Sequence, residues 1–155
     1  MGGANSKNSG GGGFNGDVVQ AHNVYRAKHG SPPLKWSVEA AKKAQSWAER
    51  LASSGTLQHG NHDNMGQNIA YKSGAEYKGQ EVVDSWYSEE NTYNYSTPGF
   101  HGNSGHFTQL VWKSTTHIGV GRSINGTKTY VVANYTPAGN ITNTGQFEAN
   151  VLRPK

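Results

Sequence analysis

The sequence predicts an α+β fold in one domain. Apolar residues recur at helical spacing through the first two thirds of the chain, and at a spacing of two after about residue 117. The alternating part is divided by Asn125-Gly126, a hairpin signal. Helices first and antiparallel strands last are the pattern of an α+β domain. A chain of 155 residues is long enough for one hydrophobic core and too short to expect two.

Residues 1–16 are rich in Gly, Ser and Asn and carry too little apolar surface to fold, so they are expected to form a flexible leader before a domain at 17–155. Asp17 is the expected N-cap of a first helix to His29. Val18, Ala21, His22 and Tyr25 share its inward face, and Gly30 ends it. Pro32 and Pro33 forbid continuation. Ser37 opens a second helix to about Ala52, with Ala41, Ala44, Ala48 and Leu51 inward. A third, Gly79 to Asn91, buries Val82, Val83, Trp86 and Tyr87. A short fourth carries Phe107, Leu110 and Val111. Strands His117–Ile124 and Thr127–Tyr135 are then expected about a type I′ turn at Asn125-Gly126, with a short strand near Asn68–Tyr71 beside them.

Composition narrows the function. No apolar run approaches the ~20 residues of a membrane-spanning helix, and no secretory signal pattern opens the chain. There is no cysteine, which fits a reducing compartment and removes thiol chemistry. Of the +4 formal charge, residues 17–50 hold six Lys/Arg against three Asp/Glu and Lys7 adds one; the rest balances. That is a solvated helix surface or a weak patch for anionic membrane lipids. Nucleic-acid binding is not expected, since no basic cluster or recognition motif is present. Asn-x-Ser/Thr triplets start at Asn94, Asn125, Asn134 and Asn140 and matter only in a secreted chain. The opening MGGANS fits the N-myristoylation pattern at Gly2. One acyl chain holds a membrane only marginally, so the basic third would have to assist.

GHFTQLVW (105–112) and YVVANYTPAGNI (130–141), with AHNVYRAKHGSPPLKW (21–36) and DSWYSEENTYNYSTPGF (84–100), resemble the CAP superfamily: cysteine-rich secretory proteins, antigen 5 and pathogenesis-related group one. Within it they are similar to the Golgi-associated, plant pathogenesis-related-like branch, whose members also begin with an acylation pattern and self-associate, so a homodimer is an expectation. The resemblance implies a three-layer α-β-α sandwich about a small central antiparallel sheet. It also implies a Golgi-type location on the cytoplasmic face of membranes. Secreted members are typically disulfide-bonded, and Ala133 stands where the second signature usually carries Cys.

The family's cavity holds two histidines and two acidic residues. Carried over by position, His59 and His106 match the histidines and Glu89 the second acid. The first acid falls in a Gly-Glu-Asn-Leu/Ile-Ala stretch that here reads Gly66-Gln67-Asn68-Ile69-Ala70, so a carboxylate has become an amide. His59 and His106 are therefore the expected ligands of a weak, water-completed zinc site, with Gln67 bringing no charge and no general base. The alternative is a hydrogen-bonded network without metal. His22 is expected to be structural, and His29, His62, His101 and His117 to lie at the surface or at caps. Tyr93, Tyr95 and Phe100, at i, i+2 and i+7, match a caveolin-binding-type spacing, and the resemblance implies sterol binding through that loop, independently of the histidines.

The expected function is thus a non-enzymatic, membrane-peripheral protein that binds lipid or sterol. Two rivals stand beside it. One is a metal-assisted hydrolase on His59, Glu89 and His106; the absence of a His-Glu-x-x-His motif and of a Gly-x-Ser-x-Gly elbow excludes two common hydrolytic designs. The other is a secreted, extracellular defence-type protein that binds sterol.

Overall fold

The computed structural model describes residues 12–155. The leader 1–11, and with it the acylation expected at Gly2, lies outside the described residues. Among the described residues there are five helices and four strands: α1 Gly13–Lys28, β1 Lys35–Trp36, α2 Val38–Ser54, β2 Gly66–Ser73, α3 Gly79–Tyr87, α4 Gly105–Val111, β3 His117–Asn125, β4 Lys128–Thr136 and α5 Gln146–Asn150. A 3-10 segment, Ser88–Thr92, continues α3.

Helix α1 starts four residues before the expected Asp17. The cause is Phe14, which packs against the core and receives the Arg122 guanidinium 4.3 Å over its ring. Burial of an aromatic ring outweighs the poor helix propensity of Gly13 and Gly16. Residues 13–16 therefore belong to the domain. The helix ends as expected: Gly30, at φ 73, lets Ser31 N–H turn back to the Arg26 carbonyl. Ser37 caps α2 by accepting from Ala40 N–H, and the left-handed Gly55 closes it.

The sheet runs β1-β3-β4-β2, with β2 and β3 antiparallel to β4. It is not wholly antiparallel, because the two-residue β1 pairs with β3 in parallel. The hairpin is displaced by one residue from the sequence expectation. Asn125 pairs with Lys128, so the loop is Gly126-Thr127, and only its first residue has positive φ, as in a II′ turn instead of I′.

Strand alternation makes three layers. On one face Ile118, Val120, Val131, Ala133 and Tyr135 join α1, α3 and α4 in the larger core. On the other, Tyr130 and Val132 meet Ala44, Ala48, Leu51 and Ala52 of α2. Gly119 and Gly121 let the α2 backbone press directly onto β3; a side chain at either position would collide with main-chain atoms of Ala41 or Gln45. The result is the α-β-α sandwich.

The edge strand β2 begins at Gly66, beside the N-terminus of α4. One end of the sheet therefore lies next to a helix start, and the candidate residues gather there.

Candidate functional site

His59 comes from the loop after α2. That loop is tied to the helix by Trp47 Nε1–H donating to the Gln58 carbonyl at 2.8 Å and by Asn61 Nδ2 donating to the Lys43 carbonyl at 3.0 Å. Gly60 rests on the Trp47 indole, where a Cβ would collide with the ring. His106 is the second residue of α4. Gln67 and Asn68 are the second and third residues of β2, and because successive strand residues point to opposite faces they enter from the two sides of the sheet. His59, Gln67, Asn68, Phe100, Gly102, Gly105, His106 and Asn140 line one cavity of about 120 Å³.

Each imidazole is held through Nδ1. His106 Nδ1 lies 2.7 Å from Glu89 Oε2, and His59 Nδ1 lies 2.8 Å from Gln67 Oε1. Both partners are acceptors, so each ring carries its proton on Nδ1 and leaves the Nε2 lone pair free for a ligand. Among the described residues neither Nε2 has a hydrogen-bond partner. This is the arrangement in which outer groups orient metal-binding imidazoles. No third His, Cys, Asp or Glu among the described residues completes a ligand group, so water or an added ligand would have to fill the remaining positions.

Glu89 is fully engaged. Besides His106 Nδ1, it accepts from His106 N–H at 2.9 Å and Phe107 N–H at 3.2 Å through Oε1. It thus caps α4 from the 3-10 segment, a role Ser104 does not fill. Gln67 is engaged as an amide. Its Oε1 also accepts from Gly60 N–H at 3.1 Å, while Nε2 donates to the Gly60 carbonyl at 2.8 Å and to Asn134 Oδ1 at 2.9 Å. Two acceptors face the nitrogen, so the socket is built for an amide.

Several supporting residues had no separate signal in the sequence. Asn68 Nδ2 donates to the His106 carbonyl at 3.0 Å and to Tyr135 Oη at 3.2 Å. Asn140, at the left-handed φ of 56°, accepts from Thr108 Oγ1 at 2.6 Å and donates to the Gly105 carbonyl at 3.0 Å. Asn is the residue that tolerates such a φ, and that preference was the only available clue. Gln109 is wedged between Gly66 and Gly139, accepting from Gly139 N–H at 3.0 Å.

The aromatic loop does not form one face. Tyr93 is 6 % exposed and packs edge-on to Tyr95, with ring centroids 5.0 Å apart. Tyr95 donates to Glu90 at 3.0 Å. Only Phe100 is open, at 51 %, and it is a wall of the histidine cavity. The loop was expected to act independently of the histidines; instead its exposed ring is part of their site.

The remaining histidines divide. His22 is fully buried and structural as expected, with Nδ1 2.8 Å from the Val18 carbonyl and Nε2 2.7 Å from Tyr135 Oη. His29 is a correction. It was expected at the surface or at a cap; it is the C-cap residue of α1 but is fully buried, 2.7 Å from the Leu152 carbonyl and 2.8 Å from Tyr87 Oη, where it ties the C-terminal tail to α3. His62 lies edge-on to His59 with centroids 6.2 Å apart, and its Nδ1 is turned to the Met65 carbonyl. Asp63 is drawn away by Lys43 at 2.6 Å. The basic N-terminal third is also thinner than its count: Arg26 is buried and Lys43 is paired.

Comparison with known proteins agrees with this architecture. A family model described as the cysteine-rich secretory protein family, CAP, matches residues 19–135. The chain is 47 % identical to the human Golgi-associated plant pathogenesis-related protein 1, over 92 % of this chain and 94 % of that protein. It is 38 % identical to Protein PRY2 of Saccharomyces cerevisiae over 90 % of this chain, spanning 41 % of the yeast protein. Among solved structures, BmVAL-1 superposes with a TM-score of 0.70 at 22 % identity, covering 89 % of this chain and 82 % of that one, a likeness of fold. With the family model matching most of its length, this chain belongs to the CAP family.

Proposed function

We propose that the chain is a non-enzymatic CAP protein whose cavity binds a divalent transition-metal ion through His59 and His106. The observation that supports this is the pair of imidazoles in one cavity, each oriented through Nδ1 and each with Nε2 unengaged. Imidazole nitrogen suits zinc and its neighbours in the first transition row. A cation there would supply Lewis acidity toward a carbonyl or an anion. The protein's own groups do not add proton transfer: Glu89 already accepts three hydrogen bonds, and Gln67 cannot take a proton. That weighs against the hydrolase reading. Zinc titration by calorimetry is expected to show one site, and His59→Ala or His106→Ala to lower its affinity by more than about 100-fold, beyond the loss of an orienting group alone. Zinc binding that survives both substitutions would overturn the reading.

A second reading, attachment to the cytoplasmic face of membranes with lipid contact, draws support from the MGGANS pattern and from the 47 % identity to a protein named for its Golgi association. Sterol capture by the aromatic loop has less support, since Tyr93 and Tyr95 pack inward. Intact mass of the protein from its native host tests the attachment. Loss of Met1 with gain of one myristoyl group is expected. Glycans at Asn94 or Asn125 would place the protein in the secretory route instead.

A further inference from the structure

We infer that the ligand of this cavity is a small organic carboxylate, anchored by the cation on His59 and His106 and seated with its apolar part on Phe100. The inference rests on the cation reading above and adds the class of molecule that completes the site.

The first ground is charge. With both imidazoles neutral, Glu89 is the one carboxylate that touches a candidate ligand side chain. The other acids nearby are committed elsewhere, Asp63 to Lys43 at 2.6 Å and Glu90 to the Tyr95 hydroxyl at 3.0 Å. Gln67 is neutral and cannot become an anion. A divalent cation would therefore leave the cavity with one uncompensated positive charge. In a partly desolvated cavity such a charge favours an anionic co-ligand over water.

The second ground is the hydrogen-bonding inventory. Both Nε2 protons of Gln67 are used, on Gly60 and Asn134, and both Nδ2 protons of Asn68 are used, on His106 and Tyr135. Asn140 gives one Nδ2 proton to the Gly105 carbonyl and its Oδ1 accepts from Thr108. These side chains therefore offer little to a sugar, a peptide or another ligand needing many polar contacts. What remains is one cation-binding point, one apolar ring and two single polar groups, an Asn140 N–H and Asn68 Oδ1.

The third ground is that ring. Phe100 is 51 % exposed although it belongs to the cavity wall, and it sits over Gly105, where a Cβ would collide with its edge. Gly105 therefore lets the ring lie against the start of α4, next to His106. A ligand held at the histidines would reach it. The volume of about 120 Å³ suits a compact acid. A monocarboxylate with a flat or short apolar tail satisfies all three conditions.

The test uses the full chain and zinc alone, titrated by calorimetry in a buffer free of coordinating anions, then with acetate, then with benzoate at the same concentration. Free carboxylate competes for zinc in solution, so a rise in apparent affinity has to come from the protein. Acetate is expected to raise zinc affinity, and benzoate to raise it a further ~10-fold, the effect of one aromatic contact. Phe100→Ala is expected to make the two anions equal, and the ratio between them is the readout, whatever the variant does to zinc itself. Gln67→Glu supplies the missing charge and is expected to reduce the gain from both anions. Zinc that fails to bind under any condition overturns the cation reading. Zinc that binds equally with no anion, acetate and benzoate leaves that reading standing and overturns this one. A benzoate advantage that survives Phe100→Ala overturns the role given to Phe100.

Discussion

Replacing Arg26 with leucine is expected to destabilise the fold by at least about 3 kcal/mol, the largest effect of any single substitution considered for this chain. Arg26 is fully buried, yet among the described residues no carboxylate pairs with it. Its guanidinium donates to four main-chain carbonyls: Nε to Pro32 at 2.8 Å, Nη1 to Leu110 at 3.1 Å and Trp112 at 2.9 Å, and Nη2 to Thr115 at 2.9 Å. Burial, the largest cause, pulls its pKa down to about 10, so it stays charged at neutral pH. It closes the C-terminus of α4, where unpaired carbonyls carry the negative end of the helix dipole. Leucine would leave the Leu110 and Thr115 carbonyls buried without a donor, each a desolvation penalty of roughly 1–3 kcal/mol, while the Trp112 carbonyl keeps the Thr115 N–H at 3.2 Å. For a chain of this length the midpoint of thermal unfolding should fall by about 10 °C. Lysine is expected to recover only part of the loss, because a single ammonium cannot reproduce the planar fork that reaches carbonyls on both sides. Chemical denaturation of the leucine variant within about 1 kcal/mol of the parent would refute this account. Because α4 carries His106, the same variant should also loosen the site.

Arg26 shows where the sequence stops being legible. In the chain it is one of six Lys/Arg in residues 17–50 and reads as surface charge. Three of its acceptors lie more than 80 residues away, so no local pattern announces the burial. The same holds for β1. Its two residues follow a proline pair and have no periodicity of their own; the strand exists because Lys35 N–H reaches the Thr116 carbonyl and Ser37 N–H the Ile118 carbonyl. By contrast, most of α2 was readable. Its cap and its apolar stripe are local signals, and Ser37, Ala44, Ala48 and Leu51 fill those roles; Ala41 is only half-buried, and the helix runs two residues past the expected Ala52 to the left-handed Gly55. The hairpin was readable as a hairpin but not in register, since Asn-Gly favours I′ while the pairing of Asn125 with Lys128 is fixed by the strands on either side.

The site was legible in its members more than in its wiring. His59, Gln67, Glu89 and His106 do converge, with Gln67 on His59 and Glu89 on His106. That Glu89 is also the cap of α4 could not be read from Ser-Glu-Glu, because the helix it caps starts 16 residues later. Phe100 was read with Tyr93 and Tyr95 by spacing, but spacing along an irregular loop does not fix a common face. The structure groups it with the histidines instead.

A second large effect is expected from acid. His22 is fully buried, and burial first, with the nearby Arg26 charge adding to it, pulls its pKa down to about 4 from the usual 6.5. Its hydrogen bonds show how the neutral ring is used. Nδ1–H donates to the Val18 carbonyl, Nε2 accepts from the Tyr135 hydroxyl, and that hydroxyl accepts from Asn68 Nδ2. A proton on Nε2 would turn two donors against each other and place a second cation beside Arg26. Because the folded pKa lies below the unfolded one, the unfolded chain takes up the proton first. The contribution of His22 is complete above about pH 6.5 and is lost as pH falls toward 4, up to about 3 kcal/mol in all. Asn68 also holds the His106 carbonyl, so this buried chain of donors runs from α1 to the wall of the cavity. Unfolding free energy measured from pH 7 to 4 should fall more steeply for the parent than for His22→Gln, whose side chain can donate and accept but does not titrate. The variant will be weaker at neutral pH and the two curves should converge in acid. Parallel curves, or a His22 ring signal that titrates near 6.5 in the folded protein, would show that the buried ring is not what limits stability in acid.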